Sequence, residues 1–225
     1  MTENIYINRL NAWAPGVGSA GEWDEWAAGK RDIALTGKSP ELSFADPMFR
    51  RRLSQLCKMT IQVTHDLKPV LEDTKIFFFS FRGEISRQFQ INKMLIEENT
   101  LSPALFSLSV FNAAAAQATM ALGIKGGYCA IYPQDNSFVT GLTTACASLL
   151  GSSAKEAVFI YADEEVPAEY ACFFKEEAPC AISFGLLLSK KPDEKSVVLN
   201  VPEKEQKPAS FLKNLLNGGE LHVSS

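Results

Sequence analysis

Continuous apolar runs and segments of helical periodicity alternate along this chain. The apolar runs are IFFFSF (76–81), GYCAIY (127–132), AVFIYADE (157–164) and AISFGLLLSKK (181–191). Runs of this length are typical of strands that are buried on both faces of a sheet. Another short apolar segment, NIYINRLNAWAPG, lies near the start. The stretch rich in Gly, Ser and Trp that follows it (16–30) is predicted to be a loop.

Four helices are predicted between these runs, over about 48–67, 85–98, 112–122 and 136–150. The first follows Pro47 and carries one apolar face, while the third is rich in alanine and ends at Gly123. Strands that alternate with helices predict a layered α/β domain with a central mixed β-sheet flanked by helices. We assign this domain to residues 1–191 and treat the charged segment 192–225 as a C-terminal tail, either peripheral or flexible.

Charge and cysteine content narrow the class of protein. With 22 basic and 26 acidic side chains among 225 residues, the formal net charge of −4 disfavours binding to nucleic acid or to an anionic membrane. No signal peptide or membrane-spanning apolar stretch is recognisable. The five cysteines are odd in number and form no C-x-x-C pair. We therefore expect a cytoplasmic protein without a disulfide framework or a structural zinc site.

One cysteine, Cys146 in TTACASLL (143–150), stands in a stretch that resembles the nucleophile motif of condensing enzymes. It shares one apolar face of the helix over 136–150 with Phe138, Leu142 and Leu149, and Asp135 or Asn136 is the expected N-cap. A thiol roughly 16 Å from the helix N-terminus, at about 1.5 Å per residue, gains little from the helix dipole. The spacing therefore favours a core cysteine over a nucleophile.

Other candidate groups for chemistry are few. The chain has two histidines, and His65 near the end of the helix over 48–67 is interpreted as a surface residue or helix C-terminal cation rather than a catalytic base. Several carboxylates lie between the last two strands, and we expect them to belong to a solvated loop rather than to acid–base or metal chemistry: Glu164, Glu165, Glu169, Glu176 and Glu177.

The segment LSPALFSLSVFNAAAAQATMALGIKGGYCAIY resembles the N-terminal half of the thiolase-fold β-ketoacyl synthases. Gly123–Gly126 matches the glycine-containing turn of that family, and GYCAIY matches the strand before its nucleophile. FRRRLSQLCKMTIQ and AISFGLLLSK resemble its early arginine-rich helix and a later glycine-containing strand. The resemblance covers about residues 10–190 and implies a half-thiolase fold.

The same resemblance places the family's nucleophile position at Asp135, with Gln134 before it. A carboxylate cannot form the thioester that a condensing enzyme needs. The two catalytic histidines of the family come from a second half, and the only histidine after Asp135 is His222. The resemblance therefore implies a chain without catalytic residues of its own.

A condensing-enzyme half that lacks its nucleophile looks like a chain length factor. SFRGEISRQFQINKMLIEENTLSPALFSLSVFNA resembles more narrowly the short chain length factors of bacterial aryl polyene pathways, a type II polyketide system, in which a His often stands at the position of Phe111. Such a subunit is expected to pair with a ketosynthase, to meet acyl carrier protein only indirectly and to need no cofactor. The residues implied in its dimer interface are Gly127, Tyr128, Cys129, Ala130, Ile131 and Tyr132, and those implied in shaping the acyl tunnel are Phe111, Asn112, Met120, Gln134, Asp135 and Phe138.

Two other classes of protein stay open from the sequence. One is a small acyl hydrolase or transferase that uses Cys146 or Ser137 with His65, although no G-x-S-x-G motif is present. The other is an acyl-binding scaffold without a ketosynthase partner. Asp135 has two interpretations as well, a helix N-cap or a polar group that supports the partner's active site.

Overall fold

The computed structural model describes residues 4–132, 137–174, 179–219 and 221–223, and its centre is a six-stranded mixed sheet. The strands are β1 (Tyr6–Trp13), β2 (Lys75–Phe79), β3 (Tyr128–Ile131), β4 (Glu156–Asp163), β5 (Ile182–Ser189) and β6 (Val197–Val198). Their order is β3-β2-β4-β5-β1-β6. β2 pairs in parallel with both β3 and β4, and the remaining pairs are antiparallel. The predicted mixed sheet is confirmed.

The helices are α1 (Ala20–Ala27), α2 (Pro47–Arg50), α3 (Gln55–Asp66), α4 (Ile85–Lys93), α5 (Pro103–Ser107), α6 (Ala113–Leu122), α7 (Phe138–Leu150) and α8 (Pro208–Asn217). A π-helical turn, Met94–Glu98, continues α4, and a 3-10 helix spans Ala168–Phe173. Helices cover both faces of the sheet.

Three local predictions are wrong, each because a side chain caps a helix. The segment predicted as a loop (16–30) contains α1, which Ser19 and Glu22 begin with reciprocal hydrogen bonds to backbone amides. The single helix predicted over 48–67 is divided into α2 and α3, since Ser54 caps α3 by accepting from Cys57 N. The N-cap of α7 is Ser137, which accepts from Thr140 N, and not Asp135 or Asn136.

Two separate hydrophobic clusters lie on opposite faces of the sheet. In β2, Phe77 and Phe79 point to the cluster shared with α1, α7 and α8, whereas Ile76 and Phe78 point to the cluster shared with α3 and α6. This alternation follows from the two-residue period of a strand. Both faces of β2 are therefore dry, as its continuous apolar run predicts.

The C-terminal segment belongs to the first of these clusters. Phe211, Leu212 and Leu216 of α8 are buried, and the ring centroid of Phe211 lies 5.3 Å from that of Phe138. The short FLKNLL stretch supplies an apolar helix face, and burial of that face holds the segment in place. Helix α8, within this segment, thus packs as part of the first cluster.

Candidate functional site

Strand β3 forms one edge of the sheet. Within the described residues it pairs only with β2, and all four of its residues are half-buried. Tyr132, which follows the strand, is 70% exposed. The residues predicted for a dimer interface, Gly127 to Tyr132, therefore lie along an open edge, which is a ready template for pairing with another chain.

The backbone of β3 shows which groups face this opening. Ile76 N donates to Gly127 O at 3.0 Å, so Gly127 directs its carbonyl toward β2. Successive residues of a strand direct their backbone groups to alternate sides. Consequently Tyr128 and Ala130 direct their N–H and C=O groups to the open side.

Part of the predicted tunnel set gathers beside this edge. The Phe111 ring lies between those of Phe78 and Tyr132, with centroids 6.0 and 5.4 Å away. Asn112 Nδ2 donates to the Tyr128 hydroxyl at 2.8 Å and so connects the start of α6 to β3. Met120 is 64% exposed on α6. The structure thus brings Phe111 and Asn112 together with the aromatic residues of the edge.

The other predicted tunnel residues lie elsewhere. Phe138 is fully buried on the opposite face of the sheet, where its ring contacts Phe159, Phe184 and other aromatic residues. Gln134 and Asp135 lie outside the described residues. The start of α7 just after them is described: Ser137 Oγ donates to Glu205 at 2.6 Å, and Phe138 N donates to the same carboxylate at 2.8 Å. The C-terminal segment therefore supplies a negative charge to the positive end of α7.

Polar side chains collect where parallel β2 and β4 end, the position at which open α/β sheets commonly bind ligands. Asp163 is almost fully buried and accepts from Ser80 Oγ at 2.6 Å, Tyr161 OH at 2.7 Å and the backbone N–H groups of Phe81 and Arg82 at 3.0 Å. Burial raises the pKa of Asp163, while the Arg82 guanidinium and these hydrogen bonds oppose the rise. Asp163 holds the turn after β2 in place.

Glu84 forms a second buried cluster. Its carboxylate accepts from Ser54 Oγ at 2.9 Å and from the Cys57 thiol at 3.1 Å, and it lies 3.0 Å from Arg87 Nε. Burial raises the pKa of Glu84. Burial and the Glu84 charge together raise the pKa of Cys57 well above its ordinary value. Cys57 is therefore a protonated hydrogen-bond donor and not a nucleophile.

Glu164 was predicted to be solvated in an acidic loop, and this prediction is wrong. Its side chain is 1% exposed and accepts from Ser86 N at 2.9 Å and Leu56 N at 3.4 Å, which anchors the first turns of α4 and α3. Burial, with a smaller contribution from the Glu84 charge, raises the pKa of Glu164 to about 7. No local pattern in the sequence indicates this burial, because the donors to Glu164 come from distant segments of the chain.

The alternative of a hydrolase is contradicted by the geometry. Cys146 is 7% exposed on the inner face of α7, and burial raises the pKa of its thiol to about 11, which confirms a core cysteine. His65 stacks on Phe44 at 3.8 Å and bonds to Asp66 at 2.8 Å. It belongs to α3, on the opposite face of the sheet from Cys146 and Ser137. His65 therefore cannot activate either residue.

The described residues contain no group of three or more metal-ligating side chains. Over the same residues, no helix combines the length and apolar character that a membrane span needs.

Comparison with known proteins extends these observations. The family model described as "Beta-ketoacyl synthase, N-terminal domain" matches residues 23–218. Comparison with curated proteins gives no match. Among solved structures, a chain of the ketosynthase (ApeO) in complex with its chain length factor (ApeC) from Xenorhabdus doucetiae is similar with a TM-score of 0.73 and 22% identity. The similarity covers 96% of this chain and 92% of that one, so the two chains have nearly the same length.

Two other similar structures are longer. A chain of the ishigamide ketosynthase/chain length factor gives a TM-score of 0.59 at 12% identity, over 83% of this chain and 62% of that chain. AntDE:AntF, a type II acyl-carrier protein in complex with its ketosynthase bound to the hexaketide, gives 0.61 at 12% identity, over 84% and 63%. These similarities confirm the predicted thiolase-like fold, and the present chain spans less than two thirds of each longer chain.

Proposed function

The chain belongs to the β-ketoacyl synthase family by its N-terminal domain, and from this premise we propose that it is a non-catalytic chain length factor that forms a heterodimer with a ketosynthase. The complex acts as an acyltransferase that elongates a polyketide, and the closer resemblance of residues 80–113 favours an aryl polyene. The ketosynthase provides the cysteine and meets the acyl carrier protein. This subunit closes the far end of the acyl tunnel.

The open edge of β3 is the observation that carries this proposal. Tyr128 and Ala130 present outward backbone groups, and the exposed ring of Tyr132 lies at the end of the same strand. An equivalent strand of the partner would satisfy these groups and would join the two sheets into one. The ketosynthase with its chain length factor from Xenorhabdus doucetiae supports this assembly, because it contains a chain of nearly the same length and fold.

The proposed non-catalytic role rests on the residue at the nucleophile position and on the burial of two candidate thiols. By resemblance, Asp135 stands at the nucleophile position. The thiols of Cys57 and Cys146 are buried, and burial raises the pKa of each. We propose that Asp135 and Gln134 support the partner's active site. An Asp135→Ala variant that folds and sustains full condensation in the complex would exclude this role.

We propose that Phe111 and Met120 set the length of the tunnel, with Asn112 holding Phe111 near the edge. Phe138 faces the other core and shapes the tunnel only through the start of α7. Met120→Trp should shorten the products of the complex, because a larger side chain fills the space for the acyl chain. Met48→Trp, at another exposed methionine, is the matched control. Equal product lengths in both variants would exclude Met120.

The experiment that tests the heterodimer removes one outward hydrogen-bond donor from β3. Ala130→Pro eliminates the N–H that faces the open side and leaves the bonds to β2, while Ala130→Val keeps the N–H. Co-purification with the ketosynthase should fail for Ala130→Pro and persist for Ala130→Val, with equal circular dichroism spectra. If both variants pair as well as the parent chain, pairing through β3 is wrong.

We also propose that the complex works in the cytoplasm without a cofactor. All five cysteines are free thiols, the state that a reducing compartment maintains. Full condensation after exhaustive chelation and dialysis is the expected result. Activity that returns only on adding a metal would contradict it.

A further inference from the structure

A groove of about 740 Å³ opens beside the buried Glu84–Glu164 cluster, and its described lining contains none of the predicted tunnel residues. Its walls come from the start of α3, from α4 and α5, and from the segment that follows β4. A volume of this size is typical of small-molecule sites in proteins. Ligand binding in this groove does not require the chain to pair with a ketosynthase.

One wall of the groove is apolar. Phe89 of α4 faces Leu105 and Leu108 at α5, and all three side chains are half-buried. The Phe89 ring packs edge-to-face on Tyr170 with centroids 5.1 Å apart, which restricts its orientation. This wall offers a lasting contact surface for an alkyl chain or a ring.

Another part of the groove lining is cationic. Arg51 and Arg52 line it and are exposed, and no carboxylate of the described residues lies within ion-pair distance of either guanidinium. A third lining arginine, Arg87, is already engaged with Glu84 and with the backbone carbonyl of Arg52. Among the described residues, Arg51 and Arg52 therefore have no acidic partner and can receive a ligand.

The two acidic residues of the lining do not neutralise these cations. Glu165 accepts from the backbone N–H groups of Thr36 and Gly37 at 3.1 and 2.9 Å. Glu164 accepts from Ser86 N and Leu56 N inside the protein. Both carboxylates are thus directed to helix or loop amides, and the mouth of the groove keeps a positive potential.

We propose that this groove binds an anionic amphiphile, whose carboxylate or phosphate group contacts Arg51 and Arg52 and whose apolar body lies along Phe89, Leu105 and Leu108. Guanidinium groups form paired, charge-assisted hydrogen bonds with both kinds of anion. We expect tight binding only for a ligand that has both an anionic group and an apolar body, since each part contacts a different portion of the groove.

Isothermal titration calorimetry on the full chain tests the proposal with octanoate and octyl phosphate as probes. At least one of them should bind saturably with a stoichiometry of one, and the tighter probe identifies a carboxylic acid or a phosphate ester as the source of the anion. Octanol, acetate and inorganic phosphate should each bind at least tenfold more weakly. Octanol binding as tightly as octanoate, or titrations without saturation, would overturn the proposal.

Variants of the chain locate the site. The double variant Arg51→Gln/Arg52→Gln should weaken binding at least tenfold. Arg50→Gln should not, because Arg50 donates to Glu41 O outside the groove. Ala104→Trp should block the groove, whereas Ser107→Trp on the same helix should leave binding intact. Equal affinities in the paired variants would place the ligand elsewhere and reject the groove. Each test compares the ligand affinities of two variants. Binding to a co-purified partner would contribute equally to both and would not change the difference.

Discussion

The sequences of strands β5 and β3 are both continuous apolar runs, yet the two strands differ in burial. All eight residues of β5 are buried between β4 and β1, whereas the four residues of β3 are half-exposed at the edge. The same pattern thus describes a strand that this chain covers by itself and a strand whose outer edge stays open among the described residues. Apolar character alone therefore does not distinguish a central strand from an edge strand.

The largest expected effect is a difference between substitutions in the two strands in how much each lowers the free energy of unfolding. Leu186→Ala in β5 removes a fully buried side chain and should lower the free energy of unfolding of the isolated chain by about 2–5 kcal/mol. Ile131→Ala in β3 should lower it by about 1 kcal/mol, because that side chain is only partly buried. Urea denaturation measures both values. Equal losses would mean that β3 is as well covered as β5 in the isolated chain.

The second prediction concerns Glu164, which follows β4, and its burial from water in the isolated chain. The pKa of Glu164 is raised from 4.5 to about 7, so the folded chain binds its proton more tightly than the unfolded chain. The resulting stabilisation is complete below about pH 4.5 and is lost as the pH rises to about 7, with a total change of about 3 kcal/mol at most.

Urea denaturation between pH 4.5 and 8 measures this loss. Glu164→Gln should remove most of it, and Glu169→Gln, at an exposed position of the same segment, is the matched control. If the free energy of unfolding of Glu164→Gln depends on pH as that of the parent chain does, water reaches Glu164 in the isolated chain. The interior beside β4 would then be no better covered than the edge at β3.

The smallest expected effect concerns Cys129, which lies in β3 itself. In the isolated chain a neutral thiol reagent should modify the exposed Cys172 fastest, the half-buried Cys129 more slowly and the buried Cys57 only on unfolding. Complex formation with the ketosynthase should slow the reaction of Cys129 by about tenfold or more. The rate at Cys172 serves as the internal reference, and peptide mass spectrometry follows both. An unprotected Cys129 would indicate that the partner binds away from this edge.

Prediction from the sequence succeeds where a local pattern decides the outcome. Strands β2, β4 and β5 follow from their apolar runs, and the burial of Cys146 follows from its spacing to Phe138 and Leu149. The helix α1 could have been predicted too, because Ser19 and Glu22 have the spacing of a capping box. The high content of glycine and tryptophan in this stretch favours the prediction of a loop instead.

The burial of Glu164 could not be predicted in this way. The donors to its carboxylate, Ser86 N and Leu56 N, are about 80 and 110 residues away in the chain, and only the assembled fold brings them together. The role of Glu205 at the start of α7 is equally long-range. Sites of this kind depend on tertiary contacts that no spacing along the sequence encodes.

The position of β1 has a consequence for the order of folding. β1 spans Tyr6–Trp13, but its neighbours in the sheet are β5 (Ile182–Ser189) and β6 (Val197–Val198). During synthesis β1 must therefore wait for almost the whole chain before it gains a partner strand, and contacts of such long sequence separation close slowly. The apolar runs of the unfinished sheet stay accessible for that time. The sheet is thus complete only after β5 and β6 have been synthesised.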